Sequence, residues 1–244
     1  MRVGLFVTCL VNLMRPRIGE AALRLLAAAG VEVQVPEEQS CCGQPNYNGG
    51  DLNAARMLAR KLLRDFDDCD YIVVPSGSCA STIRTHYPQL FTDTADHNSI
   101  ASLATRTREL TEFLVDVAGF DTPPGRFDGS VTYHDSCSGL RELGIQHQPR
   151  TLLTRLPGAR LVEMAQAEQC CGFGGAFAVK YGELSTHIAD AKCRDIAATG
   201  ADAISAGDLG CLLNIEGRLR RRGDHKTQVL HIAELLAGAE ATWK

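Results

Sequence analysis

No stretch of the sequence approaches the roughly 20 consecutive apolar residues that a membrane-spanning helix requires, although 45% of its 244 residues are hydrophobic. That apolar surface is instead available for a sizeable core, in one large or two modest domains. The sequence also lacks a strong excess of either charge. A formal net charge of −4 argues against a broad nucleic-acid surface, and Arg218, Arg220, Arg221 and Arg222 read as the solvated end of a helix. No GxGxxG follows a strand and opens a helix, and no GxxxxGK followed by Ser or Thr is present, so nucleotide and flavin binding have no motif behind them. No GxSxG and no Cys/His pair in a hydrolase setting supports nucleophilic catalysis. The first apolar run, VGLFVTCLVNLM, is preceded by a single Arg2 and broken by Cys9 and Asn12. It reads as a strand entering a turn rather than a secretory signal, and the expected location is the cytoplasm.

What the sequence has in abundance is cysteine. Ten occur, and in a reducing cytosol such thiols more often bind metal or do redox chemistry than form disulfides. Burial as small hydrophobes would explain one or two of them; it would not explain their spacing. Cys9 is followed 32 positions later by Cys41 and Cys42, then 37 further on by Cys79, while Cys137 is followed 33 later by Cys170 and Cys171, then 40 further on by Cys211. Corresponding cysteines lie 128 to 132 residues apart, about half the chain, which indicates an internal duplication. Cys69 and Cys193 have no counterparts and are expected to be structural.

The secondary-structure pattern repeats with the thiols. RVGLFVT, VEVQVP and YIVVP read as buried strands, separated by helices over PRIGEAALRLLAAAG and DLNAARMLARKLLRDF, the latter capped by Asp51. The second half repeats this with SVTYHD, QPRTLLTRL, ARLVEM, ELSTHIADAKCRDIAATG and ADAISA, followed by TQVLHIAELLA. Between them, residues 98–120 are expected to form one helix and DTPPGRFDG a linker, which divides the chain into half-domains 1–121 and 122–244. The predicted fold is therefore α/β, with two similar parallel-sheet lobes related by internal duplication. In each lobe the cysteines follow the first, second and third strands. They should gather at the carboxyl ends of the strands, where α/β folds place ligands.

Four converging thiolates suit a cubane [4Fe–4S] cluster or a four-cysteine zinc site. Neighbouring side chains in extended backbone point apart, so adjacent cysteines serve a single small ion awkwardly and several metal atoms more readily. The glycines at 43 and 172, with Gly174 and Gly175, provide permissive backbone that could bring peptide N–H groups to sulfur. The candidate ligands are Cys9, Cys41, Cys42, Cys79, Cys137, Cys170, Cys171 and Cys211, with Gly172 and Gly174 as a wall of the second site.

The stretches PSGSCA, YHDSCSGLRELGI, CCGFGGAFAVK and DLGCLLNIEGRL resemble the cysteine-rich CCG-domain proteins, which include the B subunit of heterodisulfide reductase and the iron–sulfur subunits of glycolate and glycerol-3-phosphate oxidases. The resemblance covers nearly the whole chain. It implies a cytoplasmic iron–sulfur subunit that transfers electrons while two partner proteins of a lactate-utilisation system, at least one of them iron–sulfur, take part in oxidising L-lactate to pyruvate. The family's fuller motif ends in CxxC, and here Ser76 and Asp208 stand where the first of those cysteines would be. The resemblance implies that relatives with the full five-cysteine set build a noncubane cluster; each half of this chain is one thiol short.

Asp208 could be an oxygen ligand or hydrogen-bond partner, but a helix N-cap is its preferred role, and Ser76 has the same alternative. His134 could move protons or tune a cluster, or be a satisfied strand-end histidine positioned by Asp135. Arg141 and Glu142 could form a local ion pair, or Arg141 could bind a carboxylate. A zinc-stabilised scaffold and a thiol–disulfide oxidoreductase that cycles adjacent cysteines are the rival functions, and zinc in one lobe is the alternative cofactor.

Overall fold

The computed structural model describes residues 1–238. In the first half, β1 (Arg2–Leu5) leads into α1 (Cys9–Met14) and α2 (Arg17–Ala28), and β2 (Glu32–Gln34) into α3 (Gln44–Gly49) and α4 (Leu52–Asp65). Then come β3 (Tyr71–Val74), α5 (Gly77–Ser81), a π-helical turn at Thr82–His86, α6 (Tyr87–Leu90) and α7 (His97–Arg106). This half closes with β4 (Thr107–Glu109), α8 (Leu110–Glu112) and a second π-helical turn at Phe113–Val117. The second half runs β5 (Gly129–Tyr133), α9 (Cys137–Leu143), α10 (His147–Arg155), β6 (Ala159–Leu161), α11 (Ala176–Lys180), α12 (Gly182–Thr199), β7 (Ala203–Ala206), α13 (Leu209–Arg221), β8 (Gln228–His231) and α14 (Ile232–Ala237).

Each half builds a four-stranded parallel sheet, in the orders β2-β1-β3-β4 and β6-β5-β7-β8. The registers superimpose: Val3 pairs with Tyr71 as Val131 pairs with Ala203, so the halves are equivalent at an offset of about 130 residues, as the cysteine spacing implies. The central strands are buried almost throughout, as parallel strands covered by helices must be. Helix α2 turns Ile18, Ala21, Ala22, Leu25 and Leu26 inward, and Asp51 caps α4 by accepting from the Ala54 N–H at 3.0 Å.

One expectation fails. Residues 98–120 are not a single helix, because α7 stops at Arg106 and Thr107–Glu109 pairs in parallel with β3. Three residues are too few to display a strand's alternation, and the strand is held by pairing that only the folded sheet offers. Its equivalent, β8, lies within TQVLHIAELLA, a stretch given no element type from the sequence, and pairs in parallel with β7.

The halves interlock. α2 packs against α14 and α8 against α10; α5 packs against α9 and α1 against α13. One hydrophobic core runs through both, with Leu25 and Leu114 of the first half and Leu152 and Leu236 of the second in the same cluster. This packing turns the carboxyl ends of the two sheets toward each other.

Candidate metal and cluster sites

All ten cysteines are free thiols. The chain brings the eight repeated ones together as two sets of four. Cys9 opens α1 directly after β1, Cys41 and Cys42 follow β2 in the loop before α3, and Cys79 lies in α5 after β3. Cys137, Cys170, Cys171 and Cys211 occupy the same places after β5, β6 and β7. In the first set the Cys9 and Cys41 sulfurs are 3.7 Å apart, and those of Cys42 and Cys79 are 3.3 Å apart. Each adjacent cysteine therefore has a partner remote in sequence.

The glycine after each pair is left-handed, with φ of +79° at Gly43 and +86° at Gly172. That turn swings the glycine N–H back onto sulfur, from Gly43 to Cys41 at 3.4 Å and from Gly172 to Cys170 at 3.3 Å, while the Phe173 N–H reaches Cys171 at 3.5 Å. The carbonyl of the second cysteine is anchored in both halves, by the Tyr87 hydroxyl to Cys42 at 2.6 Å and by Asn214 Nδ2 to Cys171 at 2.8 Å. Neither anchor was read from the sequence, where nothing marks a tyrosine 45 residues or an asparagine 43 residues downstream as partners.

Each set borders a cavity of about 230 Å³. The two cavities adjoin, sharing Pro45, Ser78, Phe173, Gly175 and Asp208 as walls. Gly174 lines the second of them.

The thiols share charge unequally. Hydrogen bonds from Cys42 and Cys9 hold Cys41 down to about 2, and those from Cys137 and Cys171 hold Cys170 down to about 2. The donors move the opposite way: Cys9 is raised first by its bond to Cys41, Cys42 and Cys171 by theirs to Cys41 and Cys170, and Cys137 by its bond to Cys170. One thiolate per set forms easily and each further one meets repulsion and burial. Only added positive charge makes four neighbouring thiolates, two of them buried in each set, compatible, which is what a metal ion or cluster supplies. The donor set therefore fits such a group, with peptide N–H groups already directed at sulfur.

Asp208 is the N-cap of α13, accepting from the Gly210 N–H at 3.1 Å, and Ser76 caps α5 through the Cys79 N–H at 3.4 Å. The structure adds what the sequence did not indicate: these two equivalent caps meet. Ser76 Oγ donates to Asp208 Oδ2 at 3.2 Å, and the Ser78 N–H donates to the same oxygen at 3.0 Å.

His134 is fully buried. It is not the satisfied strand-end histidine considered above, since neither ring nitrogen has a hydrogen-bond partner of ordinary geometry among the described residues. Burial first, and then the Lys192 charge, hold it down to about 3 against a weaker opposing pull from the Ala167 backbone, so its ring is neutral near pH 7. Its ligating nitrogen and the sulfurs of Cys171 and Cys211 all lie within 4.8 Å of one another. Asp135 does not position it, because both carboxylate oxygens are taken by Arg150, at 2.8 and 2.9 Å. Nor do Arg141 and Glu142 pair: neighbours on a helix point apart, and Glu142 accepts from Ser81 and faces His86 at 3.5 Å.

Cys69 and Cys193 are buried in the same two hydrophobic clusters as the sets, but their sulfurs face other groups: Cys69 Sγ lies 3.8 Å from Gln34 Oε1 and Cys193 Sγ 4.0 Å from the Ile215 carbonyl. Lys192, one residue before Cys193, is fully buried. It donates to the Gln166 carbonyl, and to that of Ala167 at 3.2 Å, bracing the loop that leads to Cys170. Its signal was present in the sequence, for it falls in the helical stripe of Ser185, Ala189 and Ile196 on the inward face of α12.

A duplicated parallel α/β fold with two facing four-thiol sites defines a class of thiolate-rich metal or cluster proteins. The sequence profile described as "Cysteine-rich domain" (CCG) matches residues 3–84 and again 131–216; the chain belongs to this family. It is similar to Lactate utilization protein A 2 of Bacillus cereus (strain Q1), with 42% identity over 97% of this chain and 98% of that one. It is also similar to Lactate utilization protein A of Geobacillus sp. (strain WCH70), with 43% identity over 97% of this chain and 99% of that one, and to Lactate utilization protein A 1 of Bacillus anthracis (strain CDC 684 / NRRL 3495), with 41% identity over 97% and 98%. Among the described residues no helix is long and apolar enough to cross a membrane.

Proposed function

We propose that this chain is a cytoplasmic iron–sulfur electron-transfer subunit of a lactate-utilisation system, acting with two partner proteins, at least one of them iron–sulfur, in the oxidation of L-lactate to pyruvate. The observation that carries the electron-transfer reading is the pair of facing four-thiol sites, which share cavity walls. The names of its relatives support the substrate. Cys9, Cys41, Cys42 and Cys79 would hold one group, and Cys137, Cys170, Cys171 and Cys211 the other, each a [4Fe–4S] cluster. Such a cluster, when bound, accepts and releases one electron at a time.

The chain's own residues set the conditions for that exchange. The N–H groups of Gly43, Gly172 and Phe173 donate to cysteine sulfurs, which stabilises the more negative, reduced state. Cys42, Cys79, Cys171 and Cys211 are buried, which limits water around the thiolates. The Ser76–Asp208 bond joins the loops of the two sites, so that their separation is held by the fold.

A second reading has one observation in its favour: the compact grouping of His134, Cys171 and Cys211 is a donor set that zinc also accepts, which would place a structural zinc in the second lobe.

The test is iron, zinc and acid-labile sulfide per chain on protein purified without oxygen, with visible spectra before and after dithionite. About eight irons and eight sulfides with a bleachable brown band correspond to two four-iron clusters. About four irons with one zinc support the mixed reading. Colourless, iron-free protein after reconstitution with iron and sulfide overturns the electron-transfer proposal.

A further inference from the structure

The two thiol sets are equivalent by register, yet the residues behind them are not. The Phe6 N–H donates to the Val73 carbonyl at 2.9 Å, and the His134 N–H donates to the Ser205 carbonyl at 2.8 Å. Val73 pairs with Leu5, and Ser205 with Tyr133; Phe6 and His134 are therefore the same position of the repeat. In the first half that position is an apolar ring, packed in a cluster that includes Cys42, Cys79 and Phe66. In the second it carries two nitrogens, fully buried and, among the described residues, without a hydrogen-bond partner of ordinary geometry, under a weak pull from the Ala167 backbone.

An unpartnered polar atom in the interior bears its full desolvation penalty, so a buried imidazole with neither nitrogen bonded calls for a compensating partner. Packing alone would be served better by the phenylalanine that the first half carries. The grouping of a His134 nitrogen with the Cys171 and Cys211 sulfurs, all within 4.8 Å, points the compensation toward the metal site. Imidazole is a good donor to zinc and to iron, and it replaces thiolate as a cluster ligand in some iron–sulfur centres.

We propose that His134 is a nitrogen ligand of the metal group held by the second cysteine set, so that the two lobes carry chemically different centres: sulfur-only donors in the first and mixed sulfur and nitrogen donors in the second. Neutral imidazole donates a lone pair and adds no charge, whereas a thiolate would add one negative charge. The two centres then carry the same thiolate charge and differ in the added nitrogen donor, which marks the second spectroscopically. The inference rests on the metal-binding reading above.

The experiment uses the full chain purified without oxygen and labelled with ¹⁵N-histidine, as wild type and as His134→Phe. That variant copies the residue the first half already holds at this register. X-ray absorption at the iron and zinc edges, and hyperfine spectra of the dithionite-reduced protein where it is paramagnetic, report whether a histidine nitrogen is bonded to metal. The expected result is an imidazole nitrogen at one centre in the wild type and its disappearance in His134→Phe, with the first centre's metal retained. Metal bound at both sites with no histidine nitrogen in the wild type overturns the ligand role and leaves the metal-binding reading standing, as does a nitrogen signal that persists in folded His134→Phe. Absence of any iron or zinc after reconstitution overturns both. The wild-type spectra decide the question even if the variant does not fold.

Discussion

Ser76 and Asp208, 132 residues apart in the chain, hydrogen-bond to each other at 3.2 Å where the two halves meet. Each also caps the helix that carries the last cysteine of its own half. A single carboxylate thereby ties the loop of Cys79 to the loop of Cys211: its Oδ2 serves Ser76 and Ser78 of the first half and its Oδ1 serves Gly210 of the second.

That arrangement makes Asp208 more important than an ordinary cap. Asp208→Ala leaves the Ser78 and Gly210 N–H groups without acceptors and is expected to cost about 2–4 kcal/mol in unfolding free energy. Asp208→Asn keeps one acceptor oxygen and should cost about half as much. Urea denaturation under reducing conditions measures both, and an unaltered midpoint for Asp208→Ala would contradict the cross-link.

A second equivalent pair predicts opposed pH dependences. Glu109 and His231 end β4 and β8 and cap the helices that follow, each in a capping box with a glutamate, and both are fully buried. Burial raises Glu109 from 4.5 to about 7, so its contribution is present below pH 4.5 and is lost as the pH rises through 7. Burial lowers His231 from 6.5 to about 4; its contribution is present above pH 6.5 and is lost as the pH falls through 4. Each amounts to about 2 kcal/mol between pH 5 and 7.5, and in the wild type they offset. Relative to the wild type, Glu109→Gln should gain about 2 kcal/mol on going from pH 5 to 7.5, and His231→Asn should lose about as much. Parallel denaturation series at the two pH values check the signs, and two variants with the same slope would refute the assignment.

The glycines after the paired cysteines should differ in tolerance. At Gly43 an added Cβ meets only ordinary contacts at 3.4 Å and beyond, so Gly43→Ala bears mainly the left-handed penalty of about 1–2 kcal/mol. At Gly172 the Cβ would lie 2.6 Å from the Ser185 carbonyl oxygen, and Ser185 Oγ itself donates to the Gly172 carbonyl at 2.8 Å. Gly172→Ala should therefore cost more than about 3 kcal/mol and reduce metal in the second site. Thermal denaturation and metal content of the two variants compare them directly.

Cys69 and Cys193 are expected to be dispensable for metal. Burial raises both, Cys193 to about 11, which leaves them protonated and unreactive. Replacing either by alanine should leave metal per chain unchanged and cost about 1–2 kcal/mol. Cys42→Ser or Cys171→Ser should remove the metal of one half. Metal analysis after anaerobic reconstitution separates the two groups, and loss of metal in Cys193→Ala would count against its structural role.

The duplication, the two sets of four thiols and the alternation of strands and helices were legible in the sequence, because each is a matter of spacing or of local periodicity. The strand at Thr107–Glu109 was not, since three residues carry no period and its stability comes from pairing with β3. The permissive backbone at Gly43 and Gly172 was legible for the same local reason, beside the paired cysteines; their left-handed φ came from the structure.

Relations between equivalent positions of the two halves belong to the tertiary structure. The meeting of Ser76 with Asp208, the exchange of Phe6 for His134 and the opposed caps Glu109 and His231 all require knowing which strand lies beside which, and in what register. Cysteine spacing alone determined that each half would collect its own thiols. That the two collections face each other across shared walls was decided by α5 packing on α9 and α1 on α13, contacts whose hydrophobic faces could have been read in the sequence but whose partners could not.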